Sequence, residues 1–473
     1  MKQNIESMNK NNVYKGNFWI LIYALFVIIE ILFISTINVD KGNNWTYSYS
    51  ILIFVNYIVQ TFLLYKRIGL INYIYIFVTF YYILHFGQVV MLGFFPWYEY
   101  DYLNYVTTYM TGNSGYLKET LDLCINCINI FVLGAVLCKP QRYKKQLFST
   151  RYDYKKIIKY VFLLLFSVRV VLDSIALFLS FSLGYEGTFE SFIPGVISAL
   201  GVMGYAVIPL YYFSIDNTKT QNHFLYFILA YLCFTMLSGN RAFQMMCIAS
   251  LFITYLLLHK LTFQRFIYIV ILSVLGLFFI DFIFDMRTEG FNAFLNSNSS
   301  IYDAKSKNII FETIGSFGET IYTPYLVFEH YKVVNPFWGE CFVKSLATIV
   351  PDLFGSFKEV NNEAVFAKAV SSGHTIGGSF AGEMFYNFGY TYYLPTFFIG
   401  YLFSKLSGKV TYYIKQRRID KVYISLPVCM LLLWWTRDSV GNMTREIVWL
   451  YIIFGIGKKL SNKKKYEKSV ANS

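Results

Sequence analysis

Long apolar stretches alternate with short polar ones along almost the whole chain. Twelve candidate spans emerge, near 18–37, 48–65, 70–94, 120–138, 157–181, 192–214, 222–237, 242–258, 266–284, 391–410, 421–436 and 444–457. Runs of this length and polarity read as helices that cross the apolar layer of a bilayer. The first contains Glu30 and lacks a small-residue cleavage site, so it reads as a retained span rather than a cleaved signal. No internal repeat period emerges. The expected fold is an all-α polytopic integral membrane protein of about twelve transmembrane helices. It divides into helices 1–9 with short loops (1–284), a long extracytoplasmic loop with short helices (285–390), helices 10–12 (391–457) and a basic cytoplasmic tail (458–473).

Charge orients this pattern. With the N-terminus inside, the inner segments are the N-terminus, 65–69, 139–156, 215–221, 259–265, 409–421 and the tail 458–468. These hold most of the 41 lysines and arginines but only Glu6, Asp153, Asp216, Asp420 and Glu467 among the acids. That is the positive-inside bias, and it predicts an N-in/C-in topology. The net charge of +13 is thereby a topology and anionic-lipid signal, with membrane lipids as partners and no nucleic acid. Composition agrees: 56% of the 473 residues are hydrophobic, 15% are charged, and Phe and Tyr number 47 and 42. Of the seven cysteines, Cys124 and Cys127 form a CxxC, but no second pair or histidine completes a metal site. They read as helix-packing residues, and no metal and no cofactor are expected.

The outer side carries the chemistry. Arg241 in LSGNRAF, Arg287 in FDMRTEG, and Arg437 and Arg445 in WWTRDSVGNMTREIVW all stand at outer ends of spans, where positive-inside selection disfavours them. A guanidinium fork suits phosphate oxygens, so the four are candidate diphosphate ligands. The bland alternative is that each pairs with a neighbouring acid, Asp285, Glu289, Asp438 or Glu446. Within the long loop, 309–331 has helical spacing but is too polar to span; it either lies flat on the membrane or dips into a cavity lined by protein. The stretch GHTIGGSFAGEMFYNFGY (373–390) follows. Gly377 and Gly378 permit close approach of a ligand, and Ser379 is placed to cap a helix that carries Glu383 in its first turns. Glu383, among Phe, Met and Tyr, is a candidate general base, set against a plain helix-N-terminal glutamate. His374 is a second candidate base or, protonated, a diphosphate ligand.

Other residues read as structural. Arg169 and Asp173 lie four apart in the fifth span, so one helix face can pair them; a tie between helices is favoured over a proton relay. Asn44-Trp45-Thr46 and Asn298-Ser299-Ser300 match a glycosylation sequon, a pattern short enough to arise by chance.

The SGNR turn after the seventh span, the long late outer loop and GGSFAGEMFYNFGYTYYLPTFFIGYLF resemble the Wzy family of O-antigen and capsule repeat-unit polymerases. The resemblance covers most of the chain in length, span count and loop placement. It implies an inverting, metal-independent, GT-C-like membrane glycosyltransferase. Such an enzyme moves a growing glycan from undecaprenyl diphosphate to the terminal sugar of a new lipid-linked repeat unit, at the outer face of a bacterial cytoplasmic membrane. A chain-length regulator is a further implied partner. It also implies a phosphate-binding role for Arg241. Three other readings compete: a lipid-linked oligosaccharide flippase or transporter, a ligase that attaches finished glycan, and a structural membrane subunit. The late polar loop and the absence of repeats argue against a transporter, and the outer arginines argue against a structural subunit.

Overall fold

The computed structural model describes residues 2–39, 44–97, 114–138, 152–190, 195–238, 241–259, 309–331, 338–350, 363–371 and 377–471, with 262, 267 and 276 as isolated positions. Nearly all of the candidate ninth span, Arg287, His374 and the second sequon lie outside the described residues. Among those described, regular structure is helical, with no strand. The first nine helices are α1 (Lys2–Thr36), α2 (Asn44–Arg67), α3 (Tyr73–Phe94), α4 (Ser114–Leu137), α5 (Tyr154–Glu190), α6 (Gly195–Ala206), α7 (Ile208–Ser214), α8 (Thr218–Met236) and α9 (Ala242–Leu258). Then follow α10 (Ile309–Phe317), α11 (Tyr322–Tyr331), α12 (Glu340–Ser345), α13 (Glu363–Val370), α14 (Phe380–Phe388), α15 (Tyr393–Lys415), α16 (Ile419–Val422), α17 (Ser425–Trp434) and α18 (Val440–Ala471).

Among the described residues, six helical stretches are long and apolar enough to cross a membrane: Phe18–Thr36, Trp45–Arg67, Tyr73–Phe94, Gly115–Leu137, Tyr154–Phe181 and Val196–Ser214. Ala242–Leu258 and Ser425–Trp434 are shorter apolar helices. The chain is therefore a polytopic helical membrane protein. The candidate span 192–214 is interrupted at Val207, because Pro209 near the start of α7 brings no N–H to the ladder. Backbone bonds from Val207 N to Met203 O (3.1 Å) and from Tyr211 N to Val207 O (2.9 Å) carry the helix across the break.

Interior packing relies on rings and on glycine. Phe77 of α3 stacks on Phe131 of α4 at 4.6 Å and meets Phe380 of α14 and Phe403 of α15 edge-on at 5.5 and 5.7 Å. Phe380 in turn meets Trp435 edge-on at 5.1 Å. Such offset and edge-on contacts add directional preference to burial. α4 and α15 touch backbone to backbone: a Cβ on Gly134 would lie 2.1 Å from the Phe397 carbonyl oxygen, and one on Gly400 equally close to that of Phe131. Small residues at a membrane crossing allow this approach.

Segment 309–331 is not a single surface helix. It breaks into α10, a 3-10 turn (Gly318–Ile321) and α11. The break packs against α3, where Gly318 meets Gln88 so closely that a Cβ would sit 2.1 Å from the Gln88 nitrogen. Thr320 to Phe328 are buried. Thr313, Thr320 and Thr323 are thus housed inside protein, as in the second of the two arrangements expected for the segment, while His330 at its end is exposed.

Gly400→Leu is expected to force α4 and α15 apart, at a cost of about 3 kcal/mol or more from overpacking. Loss of the monodisperse peak in size-exclusion chromatography would register it; an unchanged peak and melting temperature would refute the contact.

Candidate functional site

The site begins with a helix cap. Ser379 has extended backbone (φ −148°, ψ 130°), and its Oγ accepts from Gly382 N at 3.2 Å, which starts α14 at Phe380 as expected. A second contact fixes the same hydroxyl: His85 Nε2 of α3 lies 2.8 Å away, while His85 Nδ1 is 3.1 Å from the Tyr81 carbonyl oxygen. A carbonyl can only accept, so Nδ1 carries the proton and Ser379 Oγ donates to Nε2. Both residues are fully buried. No sequence signal singled out His85, which is a lone histidine in an apolar span.

The cap places Glu383 in the first turns of α14, fully buried. Its Oε2 accepts from Trp435 Nε1 at 2.6 Å, and the Val440 backbone N–H reaches Oε1 and Oε2 at 2.9 and 3.0 Å. Val440 is the first residue of α18. The carboxylate thus caps a different helix from its own, meeting a free N–H and the positive end of the dipole together. The helix-terminal reading of Glu383 is realised, though at the N-terminus of α18 as well as of α14.

Between Trp435 and Val440 runs the arginine turn. Arg437 is half-buried, and its side chain lies beside Gly377: a Cβ there would be 3.5 Å from Arg437 Cγ and 3.7 Å from Nε. The Arg437 guanidinium makes no hydrogen bond or ion pair among the described residues. It does not pair with Asp438, which accepts instead from Ser439 N (2.7 Å) and Asn442 Nδ2 (3.1 Å). Burial pushes the Asp438 carboxyl up from 3.8 to about 6, against the opposing effects of those bonds and of the Arg445 charge. Arg445 does take the paired alternative, with Nη2 2.9 Å from Glu446 Oε1. Glu446 is fully buried, and its Oε2 and Arg445 Nε have no hydrogen-bond partner among the described residues.

Arg241 joins this wall from another helix. It is buried at the start of α9, with its guanidinium 5.4 Å from the centre of the Phe317 ring, a cation–π contact with the last residue of α10. Two residues on, Phe243 meets Trp434 with ring centres 3.7 Å apart. The Arg241 and Arg437 turns are therefore neighbours. From the other direction, Thr323 Oγ1 donates to Gly377 O at 2.6 Å and ties α11 to the glycine stretch. Arg241, Arg437, Arg445 and Glu383 belong to one connected set of elements; Arg287 and His374 are outside the described residues.

Arg169 and Asp173 form the expected helix tie. They pair within α5, and Asp173 also accepts from Tyr205 of α6 (3.1 and 3.0 Å) and from Tyr231 of α8. No cluster of three or more His, Cys, Asp or Glu side chains suited to a metal occurs among the described residues.

A helical membrane bundle with guanidinium groups gathered where a polar loop folds back on it is the class these observations define. Residues 18–457 match the family described as O-antigen polysaccharide polymerase Wzy, and the chain belongs to that family. No curated protein and no solved structure matches it. Membership implies a membrane-embedded polymerase of O-antigen repeat units, acting on lipid-linked oligosaccharides.

Glu383→Ala is expected to strand the buried Trp435 N–H and the Val440 N–H, a loss on the order of 3 kcal/mol, while Glu383→Gln keeps an acceptor and loses less. Melting temperatures in detergent would rank wild type above Gln above Ala; equal values would dismiss the tether. For Asp438 the raised value means that the folded chain holds a proton the unfolded chain releases. The associated stability is complete below 3.8 and is lost as pH rises through about 6. Asp438→Asn should retain it across that window, read as a flatter melting temperature against pH than wild type.

Proposed function

We propose that the chain joins undecaprenyl-diphosphate-linked repeat units into a surface polysaccharide, with inversion and without metal, at the outer face of the bacterial cytoplasmic membrane. On this reading twelve spans run with both termini inside, and the long loop and arginine turns face outward. The observation that carries it is Arg437, a half-buried guanidinium with no ion pair or hydrogen bond among the described residues, set against Gly377 and one ring contact from the Arg241 turn. A charge kept in such a place suits an anionic ligand that arrives from elsewhere.

Arg241, Arg287, Arg437 and Arg445 hold the diphosphates of donor and acceptor. The acceptor hydroxyl oxygen attacks the anomeric carbon of the donor glycan from the face opposite the diphosphate. The bond from that carbon to the diphosphate oxygen breaks, and lipid diphosphate leaves with the electron pair. The arginines offset the charge that grows on the leaving group. The hydroxyl proton passes to Glu383 or to His374. To act as base, Glu383 exchanges one of its N–H donors for the acceptor hydroxyl, so sugar binding and the seating of Val440 compete for the same oxygens. A chain-length regulator is a fitting partner at the same face.

In reconstituted vesicles with lipid-linked repeat units, Arg437→Ala is expected to cut polymerisation about a hundredfold, with Arg437→Lys intermediate. Glu383→Gln, if folded, should abolish the ladder of products where Glu383 is the base and His374→Ala should do so where histidine is. Full ladders from Arg437→Ala would overturn the anion-binding role, and a ladder lost on chelation would overturn the metal-free chemistry.

A further inference from the structure

A second polar cluster, built from α1, α2 and α4, takes no part in the proposed reaction. Glu30 of α1 is buried, and its Oε2 accepts from Asn129 Nδ2 of α4 at 2.6 Å. Asn129 Oδ1 accepts from Tyr23 OH (3.0 Å), Asn56 Nδ2 (3.0 Å) and Gln60 Nε2 (2.8 Å). All four partners are buried. Glu30, Asn56 and Asn129 each fall near the middle of a candidate span, so the cluster sits at mid-depth of the apolar layer.

The hydrogen-bond inventory is short of donors. Glu30 Oε1 and Gln60 Oε1 are both buried without a hydrogen-bond partner among the described residues. The ionisable groups nearby are Tyr23 on the same helix, Tyr82 of α3 and, next to Tyr82, Tyr57 of α2; from α4 the facing group is the neutral amide of Asn129. No lysine, arginine or histidine reaches Glu30 among the described residues. An ionised carboxylate placed there lacks any counter-charge, an arrangement that costs several kcal/mol in an apolar interior. A metal ion is a poor remedy, since amide and phenol donors already fill the Asn129 oxygen. A proton on Oε1 removes the charge.

The seat of α1 makes this matter. Of the six clear spans it has the least of its length inside protein, 22% against 33–72% for the others. Its buried side chains Tyr23, Val27, Glu30 and Ile34 form one narrow stripe at spacings of four, three and four, while Leu25, Ile28, Ile29 and Leu32 face outward. Glu30 stands at the centre of that stripe.

We propose that Glu30 is an intramembrane proton-binding site: bound, the proton seats α1 on α2 and α4, and its release loosens that helix. The inference stands apart from the polymerase reading, because neither its residues nor its readouts involve glycan transfer.

Glu30→Gln, a neutral isostere of the protonated acid, provides the test on the purified full chain in nanodiscs. The infrared difference between wild type and variant at neutral pH should contain the C=O stretch of a protonated carboxyl, shifted in heavy water and fading as pH rises. In parallel, wild type should lose roughly 4 °C of melting temperature as that carboxyl band fades, and the variant should lose none. Carboxylate bands at neutral pH, a variant that cannot fold, or a variant with the wild-type pH slope would each overturn the proposal.

Discussion

The Glu383 carboxylate is the constraint on which the arginine wall rests. One side chain joins three elements that are distant in sequence: α14, which carries it; the end of α17, through the Trp435 indole; and α18, through the Val440 amide. The Arg437 turn is strung between the last two of these contacts. Because its ends are held by N–H donors in a buried setting, where exchange with water is excluded, the turn has little freedom to relax around an unpaired guanidinium. The charge is therefore presented rather than neutralised by Asp438 next door.

Rings do the complementary work. Phe380 sits between Phe77, Phe131 and Trp435, so the residue that starts α14 is gripped by α3 and α4 from one side and by the arginine turn from the other. His85 and Ser379 fix the cap one residue earlier. The loop segment and the membrane bundle consequently share one interior, and displacement of the loop would require the bundle core to open.

Much of this was legible in the chain, for reasons that differ from element to element. Span positions follow from hydropathy over long windows, which is why most helices lie within a few residues of their expected places. The Ser379 cap was readable because a hydroxyl, two preceding glycines and a following apolar run make a local signal. Glu383 was marked as an acid of interest, but its partners are 52 and 57 residues away, and no local pattern encodes them. Local pattern also leaves undecided whether Arg437 and Arg445 pair with an acid. Their sequence neighbourhoods are alike, each followed directly by an acid, yet only Arg445 closes the pair with that neighbour. His85 carried no periodic or motif signal; its significance arises from the Ser379 hydroxyl that another element brings to it. Segment 309–331 kept its helical periodicity in the sequence, while the break at Gly318 answers a contact with Gln88 that lies more than two hundred positions upstream.

The single bond from Thr323 to Gly377 closes the ends of a stretch in which the two partners are 54 positions apart. A loop tied at its neck in this way behaves like a purse on a drawstring. Chain beyond the knot is itself held to the wall: Phe342 meets Trp435 with ring centres 6.2 Å apart, and Thr348 Oγ1 donates to Gly441 O at 3.1 Å. The arginine wall is built from chain on the near side of that knot. A change of length or composition between the tied ends is therefore felt at α18 through those same contacts.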